Sequence, residues 1–247
     1  MTLIARLRAA GCVYAEDEAA LLTEAADTPA HLETMVRRRI AGQPLETVLG
    51  WAEFLGRRII VEPGVFVPRR RTEHLVHQAR ALITPPAVVV DLCCGAGAIS
   101  ALLARDGVQS HAVDIDPNAV HCARRNAPTA HVHQGDLYQP LPAQLRGRVD
   151  IVTANAPYVP TDAIATMPPE ARDHEPRGAL DGGPDGLTIA RRVIAEAPPW
   201  LARGGHVLIE TSTRQAPQLV HAMTAHGLSP RVTVDADRDA TVVIGTA

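Results

Sequence analysis

Four short stretches of this 247-residue chain place ligand-binding residue types at the ends of apolar runs. The first, DLCCGAGAIS (91–100), sets Gly95 and Gly97 between a β-rich run and a helical one. Glycines there allow a tight strand-to-helix turn and let the backbone approach a ligand without a Cβ in the way. Asp114 closes the next apolar run about 20 residues on, a spacing at which a carboxylate accepts both hydroxyls of a ribose. Asp136 closes a third run, in GDLY, where an acid or its neighbours can meet an adenine. TANAPYVP (153–160) closes the fourth. It holds the side-chain amide of Asn155 beside a rigid Pro157–Tyr158 pair, which is poor material for a buried core.

The glycine loop departs from G-x-G-x-x-G, with Cys93 and Cys94 before the glycines and Ala98, Ile99 and Ser100 after them. A pyrophosphate needs a helix N-terminus and close backbone approach, whereas an adenosyl sulfonium has no phosphate to cradle. The ordered set therefore fits S-adenosylmethionine better than NAD. An Asn oxygen and a neighbouring backbone carbonyl can accept both hydrogens of a planar NH2 group. That aims the nitrogen along the methyl–sulfur axis and sets its developing positive charge against fixed dipoles. Tyr158 can lay its ring on a flat amide. No charged base is required, because the methylated nitrogen becomes very acidic and loses its proton afterwards.

These stretches need a scaffold that lines up strand ends. From residue 87, AVVVDL, HAVDI, AHVHQGD, VDIVTANA and HVLIETS alternate with helical stretches. That pattern predicts an α/β fold, a parallel sheet covered on both faces. RVTVDAD (231–237) and TVVIGT (241–246), joined by a tight turn, predict a final antiparallel strand. Ahead of the sheet, residues 1–50 read as three short helices, one starting at Thr28–Pro29 and stopping near Gly42. WAEFLGRRIIVEPG (51–64) reads as a hairpin about Gly56.

Composition narrows the classes. Hydrophobic residues at 46% and charged ones at 21% predict a packed globular protein. A net charge of −3 argues against a broad nucleic-acid-binding field. Cys12, Cys93, Cys94 and Cys122 form no CxxC pair, so free thiols are expected and no metal site. His74, His111, His131 and His133 are expected to be surface or satisfied core residues. No run of 18 apolar residues occurs, and a soluble, cytoplasmic protein without membrane contact is expected.

NAPY at the fourth strand end is similar to the Asn/Asp-Pro-Pro-Tyr/Phe motif of amino-group methyltransferases. RRRIAGQPLETVLGWAEFLGRRIIVEPGVFVPRRRTEHLV (37–76) and EPRGALDGGPDGLTIARRVI (175–194) narrow the match. Over about residues 35–230 the chain resembles the HemK/PrmC family, the protein-(glutamine-N5) methyltransferases of peptide chain release factors. The resemblance implies a seven-stranded, Rossmann-like methyltransferase domain at 72–247. It also implies a helical substrate-docking region at 1–50 and a β-hairpin linker at 51–71. Cys93, Cys94, Gly95, Ala96 and Gly97 would form the cofactor loop, with Asp114 on the ribose and Asp136 and Leu137 at the adenine. Asn155, Ala156, Pro157 and Tyr158 would form the amide pocket, Asn155 also lying near the cofactor and Asn155, Pro157 and Tyr158 serving catalysis. The implied acceptor is the Gly-Gly-Gln glutamine of a release factor.

The chain departs from the family pattern at Cys93, at Ala156 and in PRRRTE, which replaces Pro-Arg-Pro-Glu-Thr-Glu. Other acceptors of the same chemistry stay open: another protein, a small molecule or a nucleic-acid base. A cofactor-binding scaffold without catalysis stays open too, although the intact Asn155, Pro157 and Tyr158 speak against it.

Overall fold

The computed structural model describes residues 1–247. Four helices open the chain: α1 (Leu3–Ala9), α2 (Ala15–Ala25), α3 (Pro29–Ile40) and α4 (Leu45–Leu49). Three were expected. The extra one, α4, spans five residues between Pro44 and Gly50, too few to show a helical period. Thr28 caps α3 as predicted, its hydroxyl accepting from His31 N at 3.1 Å with Pro29 at the first helical position. Leu7, Leu22, Met35 and Val36 give these helices a small core of their own. The hairpin follows as β1 (Trp51–Phe54) and β2 (Arg57–Ile60), paired antiparallel about Leu55–Gly56. Phe54 and Ile59 are sunk into the main core, which fixes the hairpin against it.

The remainder comprises α5 (Glu73–Leu82), β3 (Ala87–Leu92), α6 (Ala98–Leu103), β4 (Val108–Asp114), α7 (Pro117–Asn126), β5 (His131–Gln134) and β6 (Val149–Ala154). After these come α8 (Pro169–His174), α9 (Arg177–Leu180), α10 (Thr188–Glu196), β7 (Leu201–Thr211), α11 (Ala216–Ala225), β8 (Ser229–Asp235) and β9 (Ala240–Thr246). The sheet has seven strands in the order β5-β4-β3-β6-β7-β9-β8. All pairs are parallel except those made by β9, so the expected antiparallel finish is present.

β3 shows why the sheet is covered on both sides. All six of its residues are buried, and its β-branched run suits a strand with apolar surface on each face. Val88, Val90 and Leu92 pack into the layer that holds Val193, Ile194 and Leu219 of α10 and α11. Val89 packs into the opposite layer with Leu75 and Val76 of α5 and Leu102 and Leu103 of α6. The chain leaves β3 towards β4 on one side and crosses to β6 on the other. The topological switch therefore lies between β3 and β6, where open α/β sheets bind ligands beyond their carboxyl ends.

Candidate active site

At that switch point Asp91, the penultimate residue of β3, is fully buried. Its Oδ2 accepts from Ser100 N at 3.2 Å and Ser100 Oγ at 2.8 Å, and its Oδ1 from Thr153 Oγ1 at 2.9 Å. One carboxyl thus ties β3, α6 and β6 together beneath the loop. Burial pushes its pKa up to about 7, a rise that the three donors hold back. The loop above turns through Cys93 (φ +54°), Gly95 and Gly97. A non-glycine residue in the left-handed region costs about 1–2 kcal/mol, so Cys93 holds this turn against its own Cβ. Desolvation also raises its thiol pKa, which keeps the sulfur protonated. Gly97 serves helix packing: a Cβ there would meet Ala123 Cα of α7 at 2.8 Å.

Asp114 follows the same loop from the next strand. Its Oδ2 accepts from Gly95 N at 2.8 Å and its Oδ1 from Asp116 N at 2.9 Å. Burial raises its pKa, and the backbone donors lower it in part. Asp136 stands at the third strand end in a two-pronged ion pair with Arg192 of α10, at 3.0 and 2.9 Å. Leu137 beside it is buried with φ +47°.

β6 delivers the fourth motif. Asn155 Nδ2 donates to Thr72 Oγ1 at 3.2 Å. Ala156 is buried, and the Tyr158 ring lies 5.5 Å beneath the Arg71 guanidinium. Desolvation pushes the Tyr158 hydroxyl up to about 12, so it stays neutral. The backbone of this loop is held by the glycine-rich segment after it. Val159 N donates to Leu180 O at 3.0 Å, Gly182 N to Val159 O at 2.8 Å, and Gln215 Nε2 to Tyr158 O at 3.0 Å. Gly186 must be glycine here, since its φ is +76° and a Cβ would come within 2.2 Å of Tyr158 O.

Between these strand ends lies a cavity of about 450 Å³, within the range usual for small-molecule sites. Cys93, Cys94, Gly95, Ala96, Asp114, Asp136, Leu137, Asn155 and Pro157 all line it. Gly97, Ala156 and Tyr158 stand behind the lining rather than in it. The cavity's charged side chains are Asp114, Asp116, Asp136 and the already paired Arg192. That acidic lining fits a sulfonium cation with a ribose and an adenine, and would repel a pyrophosphate.

Several site residues gave no sign in the sequence. Thr72, Arg192 and Gln215 make contacts to motif residues 56 to 83 positions away. Glu210, on β7, pairs with Arg71 across 139 positions. The departure PRRRTE was the available clue to Arg71 and Thr72. His111 lies apart from the cavity, buried on β4 one strand in from the edge, with its nitrogens 3.0 Å from Gln109 and His133, as expected for a satisfied core histidine.

Residues 89–174 match the family described as "Methyltransferase domain". Among relatives, the release factor glutamine methyltransferase of Mycolicibacterium smegmatis is 39% identical over 84% of this chain and 75% of its own length. Its Geobacter sulfurreducens counterpart is 37% identical over 74% of this chain. A 4-amino-L-phenylalanine/4-methylamino-L-phenylalanine methyltransferase of Streptomyces pristinaespiralis is also 37% identical, over 73% of this chain. The chain spans 65% of the length of each of these last two. Among solved structures, the E. cuniculi Mtq2–Trm112 complex, responsible for methylation of the eRF1 translation termination factor, has a TM-score of 0.54 at 19% identity. That likeness covers 74% of this chain and 98% of the other, and shows the fold. A strand-end cavity of this make-up and a three-quarter-length match to a functionally named relative have one common source: the chain belongs to the release factor glutamine methyltransferase family.

Proposed function

We propose that the protein transfers the methyl group of S-adenosylmethionine to the side-chain amide nitrogen of a glutamine, that of the Gly-Gly-Gln motif in a peptide chain release factor. The observation that carries this is the shared cavity. Asn155 and Pro157, the acceptor side, line the same space as Gly95, Asp114 and Asp136, the cofactor side. When bound, the cofactor supplies a sulfonium-activated methyl group. Asp114 and Leu137 hold the ribose and adenine, while Asn155 Oδ1 accepts an amide hydrogen and fixes the nitrogen. The amide nitrogen held by Asn155 would bond the methyl carbon with its own electron pair, the old S–CH3 pair would stay with the thioether, and the surplus N–H proton would leave to water. Residues 1–50 serve as the docking region, 51–71 as the linker and 72–247 as the catalytic domain. No helix is long and apolar enough to cross a membrane.

A second reading has an aromatic amine as acceptor, favoured by the similarity to the aminophenylalanine methyltransferase. Labelled-methyl transfer separates the two. Label on purified release factor, lost when the Gly-Gly-Gln glutamine is replaced, is the expected result. Label on 4-amino-L-phenylalanine and none on release factor establishes the second reading instead.

A further inference from the structure

Acidic side chains line the cofactor side of the cavity, and the segment along its acceptor side carries the opposite charge. Phe66, Pro68 and Thr72 line the cavity together with Asn155 and Pro157, so residues 66–72 form part of its wall. Arg69, Arg70 and Arg71 stand in that segment. Arg70 and Arg71 replace the Pro and Glu of the Pro-Arg-Pro-Glu-Thr-Glu pattern, which puts a cation where the pattern has an anion. Arg69 is fully engaged: it pairs with the buried Glu175, and its guanidinium lies 4.8 Å from the centre of the Phe66 ring.

Arg71 is held but not used up. Its Nε donates to Oε1 of the buried Glu210 at 3.3 Å, and its guanidinium lies 5.5 Å over the Tyr158 ring. An arginine that only neutralised Glu210 would set two nitrogens on two oxygens, as Arg192 does with Asp136. Arg71 offers one, and Glu210 Oε2 is left without a hydrogen bond. The fork is turned away from its partner. Nη1 and Nη2 donate to no protein group, and the side chain is 41% exposed. With Nε taken, the Nη1–Nη2 edge presents two parallel N–H bonds, which match the two oxygens of a carboxylate. The next residue, Thr72, accepts from Asn155 Nδ2 at 3.2 Å, so this edge adjoins the group that holds the acceptor nitrogen. We propose that Arg71 is a specificity-determining residue, whose Nη1–Nη2 edge binds a carboxylate of the acceptor while Asn155 holds the acceptor's nitrogen.

This inference rests on the acceptor-pocket reading of Asn155 and deepens it by naming a second group that the acceptor carries. The carboxylate has two sources. In a protein acceptor it is an acidic side chain flanking the glutamine, and in an amino acid with a ring amine it is the α-carboxylate. Either makes the same pair of charge-assisted hydrogen bonds to Arg71, and an uncharged analogue makes weaker ones. A lysine at this position keeps the charge beside Glu210 but loses the fork.

The test measures methyl transfer to release factor and to 4-amino-L-phenylalanine with the wild type, Arg71→Gln and Arg71→Lys. For the acceptor that takes label, KM should rise about 10- to 100-fold in Arg71→Gln, with kcat within about threefold. Cofactor affinity by calorimetry should stay within about twofold of wild type, and Arg71→Lys should recover only part of the loss. Removing the carboxylate should raise the wild-type KM to a similar degree and add little in Arg71→Gln. The uncharged acceptors are 4-amino-L-phenylalaninamide and a release factor whose acidic residues beside the Gly-Gly-Gln motif are replaced by their amides. A second measurement needs no acceptor. In 15N-labelled protein holding S-adenosylhomocysteine, the Arg71 Nε–H resonance, identified by its loss in Arg71→Gln, should shift saturably with benzoate. Benzamide, or chloride at equal ionic strength, should leave it in place. An unchanged KM in Arg71→Gln, or an Arg71 resonance indifferent to benzoate, would overturn the proposal. A benzoate response in a protein that labels neither acceptor refutes those acceptors and supports the Arg71 site.

Discussion

A carboxylate has room for about four hydrogen bonds, and Asp114 spends one on each oxygen holding Gly95 N and Asp116 N. Two sites remain, which matches the two hydroxyls of a ribose. On the proposed reading Asp114 shapes the loop and would meet the ribose with the same atoms, so its loss would remove both effects. Two charge-assisted hydrogen bonds at stake make Asp114→Ala about 100-fold weaker for S-adenosylmethionine. Calorimetry measures this directly, and unchanged affinity would contradict the ribose assignment. Asp136 is placed differently. Arg192 takes one bond on each of its oxygens and Gln139 Nε2 a third on Oδ2, and on the proposed reading Leu137 beside it would be the apolar neighbour of the adenine.

At the scale of elements, the acceptor loop is moulded by the segment that follows it. Residues 181–186 run so close to the 155–159 backbone that no side chain fits at Gly182 or Gly186. Gly182 approaches Pro157 O, and Gly186 approaches Tyr158 O and the Gln215 amide. Gly186→Ala must push the acceptor loop aside and adopt a positive φ as well. It is expected to cost about 1–3 kcal/mol of stability. It should abolish most transfer while leaving cofactor binding largely intact, as read by urea unfolding, labelled-methyl assay and calorimetry. Full activity would mean that the loop's position is not set by this contact. The same packing explains what the sequence made legible. Strand-end motifs such as DLCCGAG and NAPY are local, with each residue's role set by its own turn. The supports of those motifs are not local: Thr72 reaches Asn155 across 83 positions and Gln215 reaches Tyr158 across 57. No periodicity or turn chemistry encodes such pairings, because they exist only after the strands are in register.

At the scale of the whole molecule, Arg39 ties the N-terminal helices to the rest. It is buried in α3, paired with Glu18 at 2.6 Å and with Gln43 O at 3.0 Å, and it reaches Glu170 of α8 at 3.5 Å. Arg39→Ala leaves the buried Glu18 without a counter-charge. Breaking a buried pair from one side costs about 3–5 kcal/mol. Thermal melting should show that loss, and limited proteolysis should cut residues 1–50 faster, with S-adenosylmethionine affinity unaltered. Equal cleavage rates would show that the helices are held by apolar contacts alone. Arg39 thus carries an ion pair from the N-terminal helices to α8.

β9 follows β8 in sequence yet lies inside it, pairing Val242 with Glu210 of β7. A chain emerging from the ribosome therefore makes β7 long before the strand that closes its outer edge. Until residues 240–246 arrive, β7 offers an unpaired row of backbone groups on the side away from β6. The cofactor loop can fold early from β3, β4 and the helices between them. A chain that stops short of β9 thus keeps β7 as an open, aggregation-prone edge.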